Sequence, residues 1–189
     1  MRGDAIVYLR DQVHVDDALG YHDTHNRGIP FGIVFNELSA ELNESWTVTL
    51  SHEALELIGD PEVNILVMGP HPEHPKRTVF YWYEMCDAVQ DENYEIDGVA
   101  VSNFLLLLYF TGSEERGGRN DFLGRHHDGK MLRSFSVNPG GYIGFFNPKT
   151  GKHQTFEREG DGRAAQRRKV KFRAGQARRA IRYERFRTG

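Results

Sequence analysis

One predicted helix, from about Trp46 to Ile58, constrains the fold of this 189-residue chain more than any other sequence feature. Three apolar residues recur there at spacings of four and three, as they do along one face of a helix: Leu50, Ala54 and Leu57. Asn43 or Ser45 can cap the start of the helix. Gly59 fits a left-handed C-terminal cap, and Pro61 prevents continuation because it lacks an N–H group.

The predicted helix carries the pattern H-E-x-x-E, formed by His52, Glu53 and Glu56. Positions four apart lie on one helix face, so His52 and Glu56 can bind one metal ion. Glu53 follows His52, so its side chain projects beside the expected metal position, where its carboxylate can accept a proton from an attacking water. This is the geometry of H-E-x-x-H metalloproteases with a carboxylate replacing the second imidazole. A charged helix face with one histidine is the competing interpretation.

The residues around this pattern resemble those of a known family. Trp46–Asn64 (WTVTLSHEALELIGDPEVN) resembles the S-H-E-x-x-E-x-x-x-D-P segment of uncharacterised zincin-like bacterial proteins, and more distantly that of phosphate-induced, exordium-like proteins. Those relatives carry a second block, E-I-x-D-x-C, whose Glu and Asp match Glu84 and Asp87. Cys86 stands before the Asp instead of after it, so the paired-disulfide context of the secreted relatives is absent. The resemblance covers roughly residues 18–110.

The resemblance implies a zincin-like fold and Glu84 as a third metal ligand. A catalytic zinc also needs three protein ligands, and Glu84 ends an apolar strand predicted at Thr78–Met85. Asp60 and Asp87 would bind His52 or the other ligands and orient them. A helix cap and a turn residue are the alternative roles of these two aspartates. We expect Zn²⁺, although so anionic a site leaves room for other divalent ions.

Other candidate residues have competing interpretations. The segment from Gly20 to His25, which includes His22, could supply a ligand or the edge of a cleft, but we interpret it as a loop with satisfied polar groups. Tyr83 or Tyr94 could stabilise an oxyanion, but packing in the core is the role we favour.

The whole pattern predicts an α+β protein. Strands are predicted at Asp4–Leu9 and Phe31–Phe35, and short strands and turns between Met131 and Phe156. We expect a zincin-like, metalloprotease-type domain over residues 1–159, with a mixed sheet and an active-site helix. A basic C-terminal tail would follow over residues 160–189.

Charge divides the chain in the same place. Residues 160–189 contain eleven Lys or Arg against Asp161 and Glu184, a net charge of +9. Because the whole chain carries −3, residues 1–159 carry −12. The tail could bind nucleic acid or another acidic partner, or pack against its own acidic domain or a neighbouring subunit.

Two functions therefore compete. The first is a zinc-dependent hydrolase of the metallopeptidase type, acting on a peptide or protein with Glu53 as general base. The second is a catalytically silent structural or assembly protein, for example in a phage particle, that keeps a zincin-like shell. A weaker third interpretation is a nucleic-acid-binding protein that works through its tail. We find no signal peptide and no apolar run of about 18 residues, so we expect a cytoplasmic or virion-associated protein without a membrane segment.

Overall fold

The computed structural model describes residues 5–11, 19–25, 28–112 and 119–160. Within them the chain forms nine strands in three sheets and two α-helices, which confirms the predicted α+β class. The helices are α1 (Asn36–Glu41) and α2 (Trp46–Gly59), with short 3-10 helices at Asp87–Val89 and Leu107–Thr111. The strands are β1 (Ile6–Arg10), β2 (Gly20–Thr24), β3 (Pro30–Phe35), β4 (Leu66–Pro70), β5 (Thr78–Trp82), β6 (Asn93–Ile96), β7 (Val99–Ser102), β8 (Tyr142–Asn147) and β9 (Lys152–Glu157). The predicted basic tail lies outside the described residues from residue 161 onward.

The first sheet has the order β1-β3-β2, with β1 parallel and β2 antiparallel to β3. Successive side chains of a strand point to opposite faces. Tyr21 therefore packs with Phe35 and with Leu38 of α1 on one face. Gly20 and His22 face the other side, where α2 packs.

Helix α2 lies between this sheet and the antiparallel hairpin of β6 and β7. Thr47 Oγ1 donates to the carbonyl of Ala100 at 2.6 Å, and Ser51 Oγ accepts the N–H of Ser102 at 2.8 Å. The residues that α2 buries most deeply include two acids: Val48, Thr49, Glu53, Glu56 and Leu57. Within the described residues, neither α-helix has the length and apolarity needed to span a bilayer.

The C-terminal end of α2 differs from the prediction. Gly59 is the last helical residue, and Asp60 caps the helix in a non-helical conformation, with φ −140° and ψ 73°. The predicted left-handed cap at Gly59 is therefore wrong. The physical reason is Pro61, whose ring disfavours the helical conformation for the residue before it.

The second sheet is antiparallel, in the order β4-β5-β8-β9. Val79 and Tyr81 of β5 and Phe145 of β8 point into the main apolar core, where they meet Leu105 and Tyr109. The turn that follows β5 leaves this sheet and runs to α2. It carries the N–H of Cys86 to Glu56 and the carboxylate of Asp87 to His52. Glu84, in the same turn, reaches His22 of β2.

Candidate metal centre

Helix α2 brings two candidate metal ligands together, one turn apart. His52 Nε2 lies 3.3 Å from Glu56 Oε2, as the spacing of four residues predicts. Glu53 is buried on the same side of the helix, with its side chain 8% exposed. The three residues of the H-E-x-x-E pattern therefore form one buried cluster rather than a solvated helix face.

Strand β2 adds a second histidine. The interpretation of this segment as a loop is wrong, because Gly20–Thr24 pairs with β3. His22 Nδ1 lies 3.3 Å from Glu53 Oε2 and 3.5 Å from Glu56 Oε2. On the other side of the ring, His22 Nε2 lies 3.7 Å from Glu84 Oε2.

Gly20 allows β2 to lie this close to α2. A Cβ atom at this position would stand 2.8 Å from the carbonyl oxygen of Ile33 and 2.7 Å from Cγ2 of Thr49. Backbone oxygen and a packed methyl group cannot yield at such distances. Because residues two apart on a strand share a face, the same approach directs His22 onto the helix.

The turn after β5 completes the cluster. The Cys86 N–H donates to Glu56 Oε1 at 3.1 Å, which holds this carboxylate in place. Asp87 Oδ1 lies 3.4 Å from His52 Nε2. The Tyr142 hydroxyl of β8 hydrogen-bonds the Asp87 carboxylate in turn.

Both imidazoles favour the charged form in this anionic surrounding. Burial lowers the pKa of His22, but the hydrogen bond with Glu53 and the charges of Glu84 and Glu56 outweigh it and raise that pKa to about 9. Burial also lowers the pKa of His52, but the charge of Glu56 and the hydrogen bonds with Asp87 and Glu56 raise that pKa well above its usual value.

The pKa values of two buried groups beside the imidazoles, the Glu56 carboxyl and the Cys86 thiol, are shifted in opposite directions. Burial raises the pKa of Glu56, but the positive charges of His52 and His22 prevail and lower it. Burial and the neighbouring acids Glu56 and Asp87 raise the pKa of the Cys86 thiol, so this cysteine is a neutral, buried residue.

In the part of the chain that the structure describes, two groups of residues could hold a metal ion. The candidate ligand atoms of His52, Glu56 and Asp87 all lie within 4.8 Å of one another, and so do those of His22, Glu56 and Glu84. Ligand atoms of a tetrahedral zinc stand about 3.3–3.6 Å apart, because each lies about 2.0–2.2 Å from the ion. The distances of 3.3–3.7 Å in the cluster, from imidazole nitrogen to carboxylate oxygen, fit an ion of this class.

The structure places the sequence-predicted residues in two different surroundings. Glu84 and Asp87 both lie at the cluster, but Glu84 groups with His22 while Asp87 groups with His52. Asp60 is the C-cap residue of α2, which is one of the two alternative roles left open by the sequence. Its carboxylate accepts the N–H groups of Asn64 at 3.1 Å and Ile65 at 3.0 Å in the turn that follows.

The tyrosines at the site also differ from those considered in the sequence. Tyr83 packs against Phe110 at a ring distance of 4.4 Å, and Tyr94 against Phe122 at 4.9 Å. These contacts fit the packing role. Tyr142 is the tyrosine that hydrogen-bonds an acid of the cluster, and no local pattern in the sequence connects residue 142 with residue 87.

A signal for His22 was present in the sequence. Leu19 and Tyr21 alternate with Gly20 and His22, which is the period of a strand with one apolar face. The short length of the segment hid this pattern. Comparison of the chain with family models, with curated proteins and with solved structures finds no match, so the resemblance seen in the sequence depends on its motifs alone.

Proposed function

We propose that this chain is a divalent-metal-dependent hydrolase of the zincin-like, metallopeptidase type, with zinc as the expected ion. One observation carries the proposal: His52 and Glu56 converge to 3.3 Å from adjacent turns of α2, with Asp87 3.4 Å from the same imidazole nitrogen. An imidazole and two carboxylates match the three protein ligands of a catalytic zinc. Glu84, the ligand implied by the resemblance, belongs with His22 and Glu56 to the other group of candidate ligands.

The residues of the chain have separate tasks in this proposal. A bound ion would polarise the scissile carbonyl and make water more acidic. Glu53 takes the proton from the attacking water and delivers it to the leaving amine. The Cys86 N–H and the Tyr142 hydroxyl hold Glu56 and Asp87 in place, so that the acids keep their orientation when charge changes at the site.

Substitution of the general base tests the mechanism. Glu53→Gln should bind zinc as tightly as the unaltered protein, because the side-chain oxygen of Gln can still accept a hydrogen bond from His22. Its hydrolysis of a mixture of fluorogenic peptides should fall by about 10²–10⁴-fold. Glu73→Gln, at an exposed glutamate, is the matched control. Unchanged hydrolysis in Glu53→Gln would discard this mechanism.

A catalytically silent role is the second candidate, and burial of the cluster favours it. The side chains of four cluster residues are only 4–8% exposed, which suits an ion that joins elements of the fold: His22, Glu53, Glu56 and Asp87. Residues 160–189 would then bind nucleic acid or another acidic partner.

The two candidates give different results in two assays. A silent protein would bind zinc without hydrolysing any peptide of the mixture. If the tail binds nucleic acid, the affinity for duplex DNA should fall steeply with salt, because Lys and Arg release counterions from phosphate. Peptide hydrolysis that depends on Glu53 would contradict the silent role.

A further inference from the structure

We propose that the cluster is a two-ion site, with one divalent metal ion on each side of Glu56. The inference extends the proposed function, which needs only one ion. Glu56 Oε2 faces both imidazoles, at 3.5 Å from His22 Nδ1 and 3.3 Å from His52 Nε2. Its other oxygen, Oε1, accepts the Cys86 N–H. A single carboxylate oxygen therefore lies next to both imidazoles, where each of the two ligand groups can use it.

The ligands divide into two sets that share only this carboxylate. One set is His52, Glu56 and Asp87, and the other is His22, Glu56 and Glu84. Each set supplies one imidazole nitrogen and two carboxylates, which is a complete set of three protein ligands for an ion such as zinc. Carboxylate-rich sets of this kind also suit manganese. Paired ions in hydrolases stand about 3.5–4 Å apart, a spacing that a shared oxygen permits.

Charge supports two ions over one. Four carboxylates surround the two imidazoles, and their side chains are 4–16% exposed: Glu53, Glu56, Glu84 and Asp87. Buried charges are costly unless ions of opposite sign stand beside them. Two divalent ions would balance these four negative charges, whereas one ion at His52 beside a protonated His22 would leave one negative charge uncompensated.

The remaining ring nitrogen of His22 also has a partner. A metal-bound histidine donates its other N–H to a carboxylate, a backbone carbonyl or water in most sites, and this fixes the orientation of the ring. When His22 Nε2 binds the ion that it shares with Glu84, its Nδ1–H points to Glu53 Oε2 at 3.3 Å. Glu53 thus orients the ring of His22 from the side opposite to this ion, and the hydroxyl of Tyr142 supports Asp87 beside His52.

Metal stoichiometry tests the inference without any measurement of activity. The full chain is stripped with a chelator, titrated with Zn²⁺ and with Mn²⁺ in a calorimeter, and analysed for bound metal after gel filtration. The unaltered protein should bind two ions, His22→Ala one and Glu56→Gln none. His74→Ala removes an exposed histidine outside the cluster and should keep two ions.

The outcomes separate this inference from the proposed function. One ion in the unaltered protein, retained in His22→Ala, overturns the two-ion site and leaves a single-ion hydrolase standing. No bound ion in the unaltered protein overturns both. If His22→Ala does not fold, Glu84→Gln addresses the same set, and the count in the unaltered protein still decides.

Discussion

At the scale of single residues, His22 links stability to pH. Carboxylates surround its imidazole, so the folded protein without metal holds a proton there that the unfolded chain releases near pH 6.5. The folded pKa, about 9, is higher than the unfolded value. The stabilising contribution is therefore complete below pH 6.5 and is lost as the pH rises through about 9.

We expect the metal-free protein to lose stability over this interval. The free energy of unfolding, measured with urea in the presence of a chelator, should fall by a few kcal/mol, since one pKa unit corresponds to about 1.4 kcal/mol. His22→Gln cannot take up this proton, so its profile should be flatter between the two pKa values. Identical profiles for the two proteins would show that Glu53, Glu56 and Glu84 do not hold the proton on His22.

Asn103 organises a second buried polar cluster, separate from the candidate metal centre. Its Nδ2 donates to Glu92 Oε2 at 2.9 Å and to Asp121 Oδ2 at 2.8 Å. Its Oδ1 accepts the N–H groups of Phe104 and Leu123. One fully buried amide thus joins two acids and two backbone segments.

Asn103→Ala should destabilise the protein by about 3–5 kcal/mol, because buried acids and N–H groups lose their partners together. Thermal or urea unfolding measures the loss. Asn64→Ala is the matched control, since its side chain makes an exposed hydrogen bond to Glu62 and should change stability by less than about 0.5 kcal/mol. Equal effects of the two substitutions would contradict the importance of the buried network.

At the scale of elements, the segment just before β8 packs against the backbone next to Asp87. A Cβ atom at Gly141 would meet the carbonyl oxygen of Ala88 and would stand 2.6 Å from its carbonyl carbon. Asn138, just before β8, donates its N–H to the same carbonyl oxygen at 3.0 Å. Backbone packed against backbone leaves no room for a methyl group.

We expect Gly141→Ala to push this turn away and to weaken both stability and metal binding. Overpacking of this kind costs about 1–3 kcal/mol. Unfolding and Zn²⁺ titration should both show the loss. Gly32→Ala is the control, because its Cβ would make an ordinary contact of 3.4 Å with Val7. Normal zinc affinity in Gly141→Ala would mean that Asp87 does not depend on this contact.

At the scale of the whole molecule, the candidate metal centre joins elements that are distant in the sequence. β2 supplies His22, α2 supplies His52 and Glu56, and the turn after β5 supplies Asp87. An ion bound there would connect the first sheet, the helix and the segment that leaves the second sheet.

Removal of metal should therefore destabilise the entire fold. A ligand at 100 times its Kd stabilises a protein by about 2.7 kcal/mol, so chelator should lower the Tm and zinc should restore it. Scanning calorimetry with and without chelator measures the shift. Glu56→Gln should have the same Tm under both conditions, and a shift as large as that of the unaltered protein would place the ion elsewhere.

The local periodicity of the sequence was sufficient to predict part of the secondary structure. Helix α2 was predicted within a residue of its observed end, and the strands at β3 and β5 were predicted near their positions. The convergence of His52 with Glu56 also followed from the sequence, because 3.6 residues per turn places them on one face. The end of α2 was predicted too, although Asp60 and not Gly59 forms the cap.

Tertiary structure decided what surrounds that helix turn. The strand character of β2, the contact of His22 with Glu53 and the division of Glu84 and Asp87 between two groups all depend on pairing across long stretches of chain. The spacing of residues along a helix is a local property of its backbone. The position of a short strand against that helix depends on packing, such as the close approach at Gly20, and no single segment encodes it.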